Sequence, residues 1–225
     1  RGKDSTGFKM IHLIGCKNVD IKDIVILNSH RWTVEPQNCD NVTIDNMKHV
    51  NWDFGSDGID IVSSQNVTIK NCFLRNNDDC IAIKTWGGES KYPEEHVEGR
   101  NVENIEVSNC VFWNMSWGNA IEIGFELRAQ KVSDITFRDC DIIHVERGAA
   151  MSIHNGDYAT VEKVTFENIR IEDARHKLID LAVFLSQYSL DRPPKIEHKH
   201  RYMHGAWDGV LSFTKIEKER FRKNR

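Results

Sequence analysis

One short pattern recurs along the chain and constrains its fold more than any other feature. In this pattern an asparagine or another polar residue precedes alternating apolar and polar residues. Successive copies start their apolar alternation 23, 25, 38, 30 and 29 residues apart. Periods in this range are typical of repeat architectures, and two-residue alternation of β-branched residues predicts strands rather than helices. The six copies are residues 18–21, 41–44, 66–69, 104–107, 134–137 and 163–166.

Two further strands are predicted inside each repeat. The second follows about five residues after the first, and the third starts about 13 to 17 residues into the repeat, at pairs such as Ile59/Ile61 and Ile81/Ile83. Three short strands per turn of chain predict an all-β solenoid, the parallel β-helix, with about six to seven coils in this chain. A leucine-rich repeat is the main alternative, but the period is irregular and the leucine signature is missing.

Stacked coils place equivalent residues in ladders, because neighbouring strands lie about 4.8 Å apart. The asparagines of the first four repeats are predicted to bond to one another along a turn; they are Asn18, Asn41, Asn66 and Asn104. Cys72, Cys110 and Cys140 share one inward position, where free cysteine packs as a small hydrophobe. We therefore expect core thiols rather than disulfides, and no cysteine or histidine spacing suggests zinc.

Composition limits the remaining classes of function. The chain has 225 residues, of which 40% are hydrophobic and 28% are charged, enough for a single domain spanning residues 1–225. A net charge of −4 without a basic stripe argues against nucleic acid, and no apolar run is long enough to cross a membrane. Because the chain opens without methionine and stops in a charged run, we expect a portion of a longer protein. The sequence predicts no cofactor and leaves the oligomeric state open.

Two insertions are predicted to interrupt the coils, at about residues 85–100 and 186–207. The first leaves the helix directly after an acidic strand, and its Trp86 can either stack on a sugar ring or pack the loop onto the coil. The second is expected to form a wall of a cleft, with disorder as the alternative. Its histidines, such as His198 and His200, complete no clear metal-ligand set.

Three acidic residues are the candidate catalytic groups. Asp57 and Asp79 share one phase of successive repeats, and Asp78 is adjacent. Hydrolysis of a glycosidic bond needs one protonated and one ionised carboxyl group, and repulsion among three carboxylates keeps a proton available. Asp57 and Asp79 can jointly hold the water while Asp78 acts as the acid. Strict alternation would turn Asp57 and Asp79 inward, so a bend in the chain before each strand must turn them outward. Gly58 can permit such a bend after Asp57.

Further polar residues fall on or near the same predicted face and are candidate substrate contacts. They are Asp60, Lys84, Asn119, Glu122 and His154. Glu122 can alternatively pair with Arg128 or Arg147, His154 can be a satisfied surface histidine, and Asn119 can be a turn asparagine. The acidic cluster as a whole can also be a solvated surface or a calcium site.

Residues 16–84 resemble the polygalacturonase-like enzymes of glycoside hydrolase family 28. Residues 28–36 look like that family's Asn-Ser-Pro-x-Trp-Thr-x-x-Pro stretch. Residues 55–60 look like its Asn-Thr-Asp-Gly-x-Asp motif, with glycine for asparagine and serine for threonine, and residues 78–84 match its Asp-Asp-Cys-Ile-Ala-Ile-Lys motif throughout. The resemblance implies a right-handed parallel β-helix, an inverting hydrolase and a secreted or periplasmic location. It also implies Asp78 as general acid, with Asp57 and Asp79 positioning the water.

Two later motifs of the family are altered. Its Gly-His-Gly falls on Gly-Asn-Ala at 118–120, and its Arg-Ile-Lys falls on Ser-Ile-His at 152–154. Those cations suit the carboxylates of galacturonate, whereas Glu122 adds a negative charge. The sequence therefore predicts hydrolysis of an α-linked polysaccharide or oligosaccharide other than plain polygalacturonate. A polysaccharide lyase that uses Lys84, and an inactive carbohydrate-binding β-helix, are the alternatives.

Overall fold

The computed structural model describes residues 9–85, 99–184, 186 and 188–190. These residues form strands joined by turns, without a helix. The strands are β1 Ile11–Ile14, β2 Lys17–Lys22, β3 Val25–Leu27, β4 Val34–Gln37, β5 Asp40–Asp45, β6 Lys48–Val50, β7 Ile59–Val62, β8 Gln65–Lys70, β9 Phe73–Asn76, β10 Ile81–Thr85, β11 Val102–Ser108, β12 Val111–Asn114, β13 Ile121–Leu127, β14 Lys131–Val145, β15 Ala149–Asn155, β16 Thr160–Ile171 and β17 Lys177–Val183.

Every pairing between these strands is parallel, and each joins strands of neighbouring repeats. A seven-stranded sheet has the order β1-β4-β7-β10-β13-β15-β17, and a ten-stranded sheet has the order β2-β5-β8-β11-β14-β12-β9-β6-β3, with β16 on β14. Strands β14 and β16 each combine the predicted first and second strands of one repeat. The predicted class, an all-β protein with a parallel β-helix, is therefore confirmed.

Left-handed backbone conformations mark two corners of each coil. The first corner has φ values of 54° at Asn18 and 59° at both Asn41 and Asn104. Asn41 donates from Nδ2 to Asn18 Oδ1 at 3.0 Å, and Asn104 donates likewise to Asn66 at 2.7 Å, which confirms two steps of the predicted ladder. A second row lies five residues further on, also at positive φ: Asp23, Asn46, Asn71, Asn109, Asp139 and Asn168. Asparagine and aspartate tolerate this conformation better than other residues with a side chain.

The core runs along the axis of the stack. In β5 and β8 the apolar residues predicted to point inward are fully buried, whereas the alternating threonines are partly exposed. Cys72, Cys110 and Cys140 are buried free thiols in that core, as the sequence predicted. Strands β7 and β10 differ because their residues are buried on both faces, including the side chains in the outward phase.

Two regions singled out in the sequence lie outside the described residues. They are most of the first insertion, including Trp86, and most of the second. The limits of the domain therefore stay a prediction. In the part of the chain that the structure describes, no helix is long and apolar enough to span a membrane.

Candidate active site

The candidate residues lie on the seven-stranded sheet and on the turns that lead into it. Parallel pairing places Asp60 and Glu122 on either side of Ala82, and Ser152 next to Glu122. Asp57 precedes β7, and Asp78 and Asp79 precede β10. For these pairs of β7, β10, β13 and β15 the register predicted from the repeats is the register of the structure. In the preceding coil it is wrong by two residues, because Val34 rather than Trp32 pairs with Ile59.

The turn before β7 explains how Asp57 escapes the alternation of the strand. The residue with positive φ there is Gly55, at 70°, rather than Gly58. A Cβ atom on Gly58 would lie 2.3 Å from the carbonyl oxygen of Cys80, so glycine is needed there because two coils touch. The backbone bends at Gly58, directly after Asp57, as expected from the sequence, and the close approach of the two coils at this point also requires glycine.

Asp78 and Asp79 bring their carboxyl groups together over Gly118 of the next coil. A Cβ atom on Gly118 would lie 2.3 Å from Asp78 Oδ1 and 2.5 Å from Asp79 Oδ1. Gly118 also has a φ of 66°, so both its backbone and its surroundings require glycine. The two residues are each about 5% exposed, so both are nearly completely buried.

Hydrogen bonds distinguish these two carboxyl groups. Asp79 Oδ1 accepts from the Asn119 backbone N at 2.6 Å and from Asn119 Nδ2 at 3.3 Å. Asp78 Oδ1 accepts from the Asp79 backbone N at 3.1 Å. Two donors on one oxygen hold Asp79 in place and favour its ionised form. Asn119 also donates to Glu122 Oε2 at 2.9 Å and accepts from the Ala149 backbone N, so its amide is fully engaged inside the protein.

Burial and mutual repulsion raise the pKa values of the acidic cluster. Desolvation raises the pKa of Asp78 to about 6, with the Lys84 charge opposing it. Desolvation, followed by the charges of Asp78 and Glu122, raises the pKa of Asp79 to about 7. The pKa values of Asp57 and Asp60 also lie well above their usual range because both are buried near other carboxyl groups. The cluster therefore retains protons near neutral pH.

Lys84 is the cation at the centre of this acidic group. Its Nζ lies 3.6 Å from Asp60 Oδ1, 3.8 Å from Glu126 Oε2 and 4.1 Å from the centre of the Trp32 ring. Although burial opposes its charge, the surrounding carboxylates, Glu126 first, raise the pKa of Lys84 well above its usual value. Lys84 is thus a buried, paired ammonium group with little access to solvent.

A second buried ion-pair chain continues up the sheet. His154 Nδ1 lies 2.9 Å from Glu122 Oε2, and His154 Nε2 lies 3.2 Å from Asp180 Oδ2. Ser152 Oγ also donates to Glu122 Oε2. Burial lowers the pKa of His154, but the charges of Glu122 and Asp180 outweigh that effect and raise it to about 9. The partner of Glu122 is therefore His154, not Arg128 or Arg147.

The sequence predictions thus divide into two groups in space. Asp57, Asp78 and Asp79 reach the turns at the edge of the cluster, whereas Asp60, Glu122 and His154 are completely buried. Sequence reasoning missed the roles of Gly118, Glu126 and Asp180. The repeat register already places Asp180 in the same outward row as Glu122, which was the available signal. No such signal exists for Glu126, because the pairing of β10 with β13 shifts between Ile83 and Thr85.

Within the described ranges, no group of three or more histidine, cysteine or acidic side chains has the arrangement needed to hold a metal ion. The acidic cluster is instead occupied by its own cations and amide donors, as described above. The calcium interpretation of the cluster consequently gains no structural support.

Comparison with known proteins identifies the family. Residues 3–184 match the model of Glycosyl hydrolases family 28, which is most of the chain. The chain is 25% identical over 181 residues to a probable polygalacturonase of Arabidopsis thaliana, covering 78% of this chain and 36% of that protein. It is 28% identical over 163 residues to a polygalacturonase of Penicillium digitatum, covering 71% and 38%. The chain thus spans little more than a third of these relatives.

Solved structures of two exopolygalacturonases are similar to the chain. The enzyme of Thermotoga maritima matches with a TM-score of 0.42 and 22% identity, covering 76% of this chain and 41% of that one. The family 28 enzyme of Yersinia enterocolitica matches with a TM-score of 0.47 and 18% identity, covering 74% and 35%. Since the family model covers residues 3–184 and the strands form the stacked parallel sheets described above, the chain belongs to glycosyl hydrolase family 28, with the family's right-handed parallel β-helix.

Proposed function

We propose that the protein hydrolyses an α-linked polysaccharide or oligosaccharide with inversion at the anomeric carbon. The observation that carries the proposal is the meeting of Asp78 and Asp79 over Gly118, where both carboxyl groups have pKa values near neutrality. A carboxyl pair that holds a proton at pH 6 to 7 suits general acid catalysis, because the ideal catalytic pKa lies near the working pH. The family of the chain supports the same reaction class.

In this mechanism Asp78 is the general acid and Asp79 is an ionised base, with Asp57 beside it. The pKa of Asp79, about 7, lies above that of Asp78, about 6, so the mechanism requires the proton held by the pair to pass from Asp79 to Asp78 before the glycosidic bond breaks. The two Asn119 donors on Asp79 Oδ1 support the anionic role of Asp79, whereas the Asp78 carboxyl group accepts a single backbone hydrogen bond. Asp78 gives its proton to the glycosidic oxygen as the bond to the anomeric carbon breaks. The attack from the opposite face is taken from the resemblance to the family: water held by Asp57 and Asp79 attacks that carbon and loses its proton to one of the two carboxylates.

The substrate we propose is not plain polygalacturonate. Every uronate in such a polymer carries a carboxylate that favours a cation, whereas the two cations predicted to contact substrate, Lys84 and His154, are already paired. Lys84 is held by Asp60 and Glu126, and His154 is completely buried between Glu122 and Asp180. A neutral sugar over the acidic cluster avoids the repulsion that a uronate would meet there. Because such glycans are extracellular polymers, we also propose a secreted or periplasmic location.

The proposal is tested with a panel of α-linked polysaccharides and oligosaccharides, neutral and acidic, given to the protein and to Asp78→Asn. We expect new reducing ends from a substrate other than polygalacturonate, loss of that activity by at least about 100-fold in Asp78→Asn, and proton NMR signals of the inverted anomer as the first product. Circular dichroism checks that the variant is folded. An active Asp78→Asn protein, or first products of retained configuration, would contradict the assigned roles.

A further inference from the structure

A histidine lies in the core next to the turn that carries Asp57. His49 in β6 pairs with Ile26 in β3 and with Leu74 in β9, and it is completely buried. Burying a polar ring costs free energy that an aliphatic side chain would not cost. Packing therefore does not account for a histidine here, since the other residues of this inward row are apolar in every described coil: Ile26, Leu74, Phe112, Ile142 and Ile171.

Both ring nitrogens of His49 have a hydrogen-bond partner. Nδ1 lies 2.7 Å from Asn76 Nδ2, and Nε2 lies 2.9 Å from Thr33 Oγ1. Asn76 Nδ2 also donates to the Ser56 carbonyl oxygen at 3.2 Å, so this atom is the amide nitrogen and Nδ1 of His49 must accept from it. The ring is consequently neutral and carries its proton on Nε2, which donates to the Thr33 hydroxyl. Burial agrees with this state, because it lowers the pKa of His49 to about 4.

The two partners of His49 come from the coils on either side and both reach the turn before β7. The Thr33 hydroxyl donates to the Asp57 carbonyl oxygen at 2.8 Å, and the Thr33 backbone N–H donates to the same oxygen at 3.0 Å. Asn76 donates to the adjacent carbonyl group, that of Ser56. One buried ring therefore joins three coils, and the bonds in such a chain polarise and strengthen one another.

These contacts fix the backbone on both sides of the Asp57 α-carbon. The Ser56 carbonyl group belongs to the peptide plane before Asp57, and the Asp57 carbonyl group belongs to the plane after it. Because peptide groups are planar, holding both planes sets φ and ψ of Asp57 and hence the direction of its Cα–Cβ bond. The Gly58 N–H, which lies in the second plane, also donates to the Asp79 carbonyl oxygen at 2.8 Å.

The next coil provides a structural contrast. Asn114 pairs with Asn76 in the register and donates to the Asp78 carbonyl oxygen at 2.9 Å, so the asparagine contact recurs. The other two contacts do not recur. The residue that donates its backbone N–H to the Asp79 carbonyl oxygen is Gly58, which has no hydroxyl group. The position of His49 is taken there by Leu74. The histidine and threonine contacts are thus additions at the turn that carries Asp57.

We propose that His49 is a positioning residue that sets the direction of the Asp57 carboxyl group; the proposal rests on the proposed function, in which Asp57 helps to hold the attacking water. His49 is completely buried, so it acts through Thr33 and Asn76 and not on the substrate. Without the ring, each partner keeps one hydrogen bond to the turn but is free to rotate. The Asp57 carboxyl group then points in more directions, which slows the reaction more than it weakens binding.

Substitution of His49 by leucine tests this role, because leucine matches the rest of the row. On the substrate identified by the panel, His49→Leu is expected to lower kcat by at least about tenfold and to keep KM within about twofold. Its melting temperature is expected to be unchanged or higher. His49→Gln retains a donor and an acceptor and is expected to keep kcat within about threefold of the parent protein. The control is Ile142→Ala, a cavity in the same row away from Asp57, which is expected to lower the melting temperature and to leave kcat unchanged.

A double-mutant cycle with Asp57→Asn separates positioning from a general effect on the fold. In the Asp57→Asn background, His49→Leu is expected to change the residual kcat by less than about twofold, because the carboxylate that it positions is gone. An equal loss of kcat in both backgrounds would overturn the proposal.

Hydrogen exchange followed by mass spectrometry tests the positioning without turnover. The peptide that covers residues 53–60 is expected to exchange at least about tenfold faster in His49→Leu than in the parent protein and in His49→Gln. Unchanged exchange in this peptide would overturn the proposal. Faster exchange in a protein that hydrolyses nothing in the panel would support the role of His49 in holding this turn and reject the proposed function.

Discussion

Gly118 controls how closely two coils approach at the acidic pair. Its α-carbon faces the carboxyl groups of Asp78 and Asp79, and there is no space for a methyl group between them. Any side chain at this position must push at least one carboxyl group away. The position of the proposed acid therefore depends on the absence of a side chain in the next coil.

We predict that Gly118→Ala lowers kcat/KM by at least about 100-fold, since a displacement of about 1 Å at reacting groups has effects of that size. The matched control is Gly15→Ala. Gly15 has a φ of 64°, nearly the 66° of Gly118, but an added Cβ there meets nothing within 4 Å. Both variants carry the same backbone strain, so equal losses of activity in the two would refute the steric explanation. Activity is measured on the substrate identified by the panel.

The positive charge of Lys84 influences the protonation of Asp78 and Asp79. Its charge lowers the pKa values of Asp78 and Asp79 against the effect of burial. Removing the charge in Lys84→Met must raise both values, because the ionised carboxylates lose a favourable partner. We predict that the pH optimum of kcat/KM moves upward by about one unit. Lys163→Met, at an exposed ion pair, serves as the control; a downward shift in Lys84→Met would contradict the prediction.

At the scale of single elements, the asparagine corners supply the geometry that joins the strands. Asn104 has a φ of 59° and bonds to Asn66, while its side chain is exposed. Alanine at this position would lose the hydrogen bond and would occupy a conformation that its Cβ disfavours. Glycine would lose only the hydrogen bond.

We therefore predict that Asn104→Ala lowers the free energy of unfolding by about 2 kcal/mol, combining strain of about 1 to 2 kcal/mol with a lost hydrogen bond of about 1 kcal/mol. Asn104→Gly is expected to lose about 1 kcal/mol or less. Urea denaturation followed by circular dichroism measures both. If glycine were as destabilising as alanine, backbone strain would not be the reason for asparagine at this corner.

Sequence reasoning succeeds for these elements because their rules are local and repeated. Alternation with a period of two identifies β5 and β8, and asparagine before each first strand identifies the corner. It fails where contacts depend on distances between coils. The repeats place Glu122 and His154 near one face of neighbouring coils, but they do not indicate that the two will form a completely buried ion pair, or that Gly58 is required by the carbonyl group of Cys80. Such contacts depend on turn shape and depth of burial, which the repeat pattern does not encode.

At the scale of the whole molecule, the buried acidic cluster makes stability depend on pH. The pKa of Asp78 is about 6 and that of Asp79 about 7, against an ordinary value of 3.8, and the pKa of His154 is about 9 against 6.5. At these three groups the folded protein therefore binds more protons than the unfolded chain between about pH 4 and pH 9, whereas His49, whose pKa burial lowers to about 4, has the opposite effect below about pH 6.5. Each of the three groups contributes stability that is fully present below its unfolded pKa and is lost as the pH rises through its folded pKa.

We predict that the melting temperature falls by at least about 5 °C between pH 5 and pH 9. Asp79→Asn is expected to flatten the part of this dependence below pH 8. The control is the same substitution at the exposed Asp134, which is expected to leave the pH dependence unchanged. Hydrogen bonds from Ser133 and Lys163 lower the pKa of Asp134, so this group titrates below the range of the experiment. Differential scanning calorimetry at matched ionic strength measures the melting temperature at each pH. A melting temperature that rises toward pH 9 would contradict the folded-state pKa values.

The two rows of left-handed residues also define where this fold can change its length. The corner residues that flank the first strands stay five positions apart in every repeat: Asn18 and Asp23, Asn41 and Asn46, Asn66 and Asn71, Asn104 and Asn109, Asp134 and Asp139, Lys163 and Asn168. All differences in repeat length consequently fall in the remaining segments. A protein engineer who grafts a foreign recognition loop should therefore avoid this corner and insert it after a strand of the seven-stranded sheet. Natural diversification of such chains is subject to the same restriction.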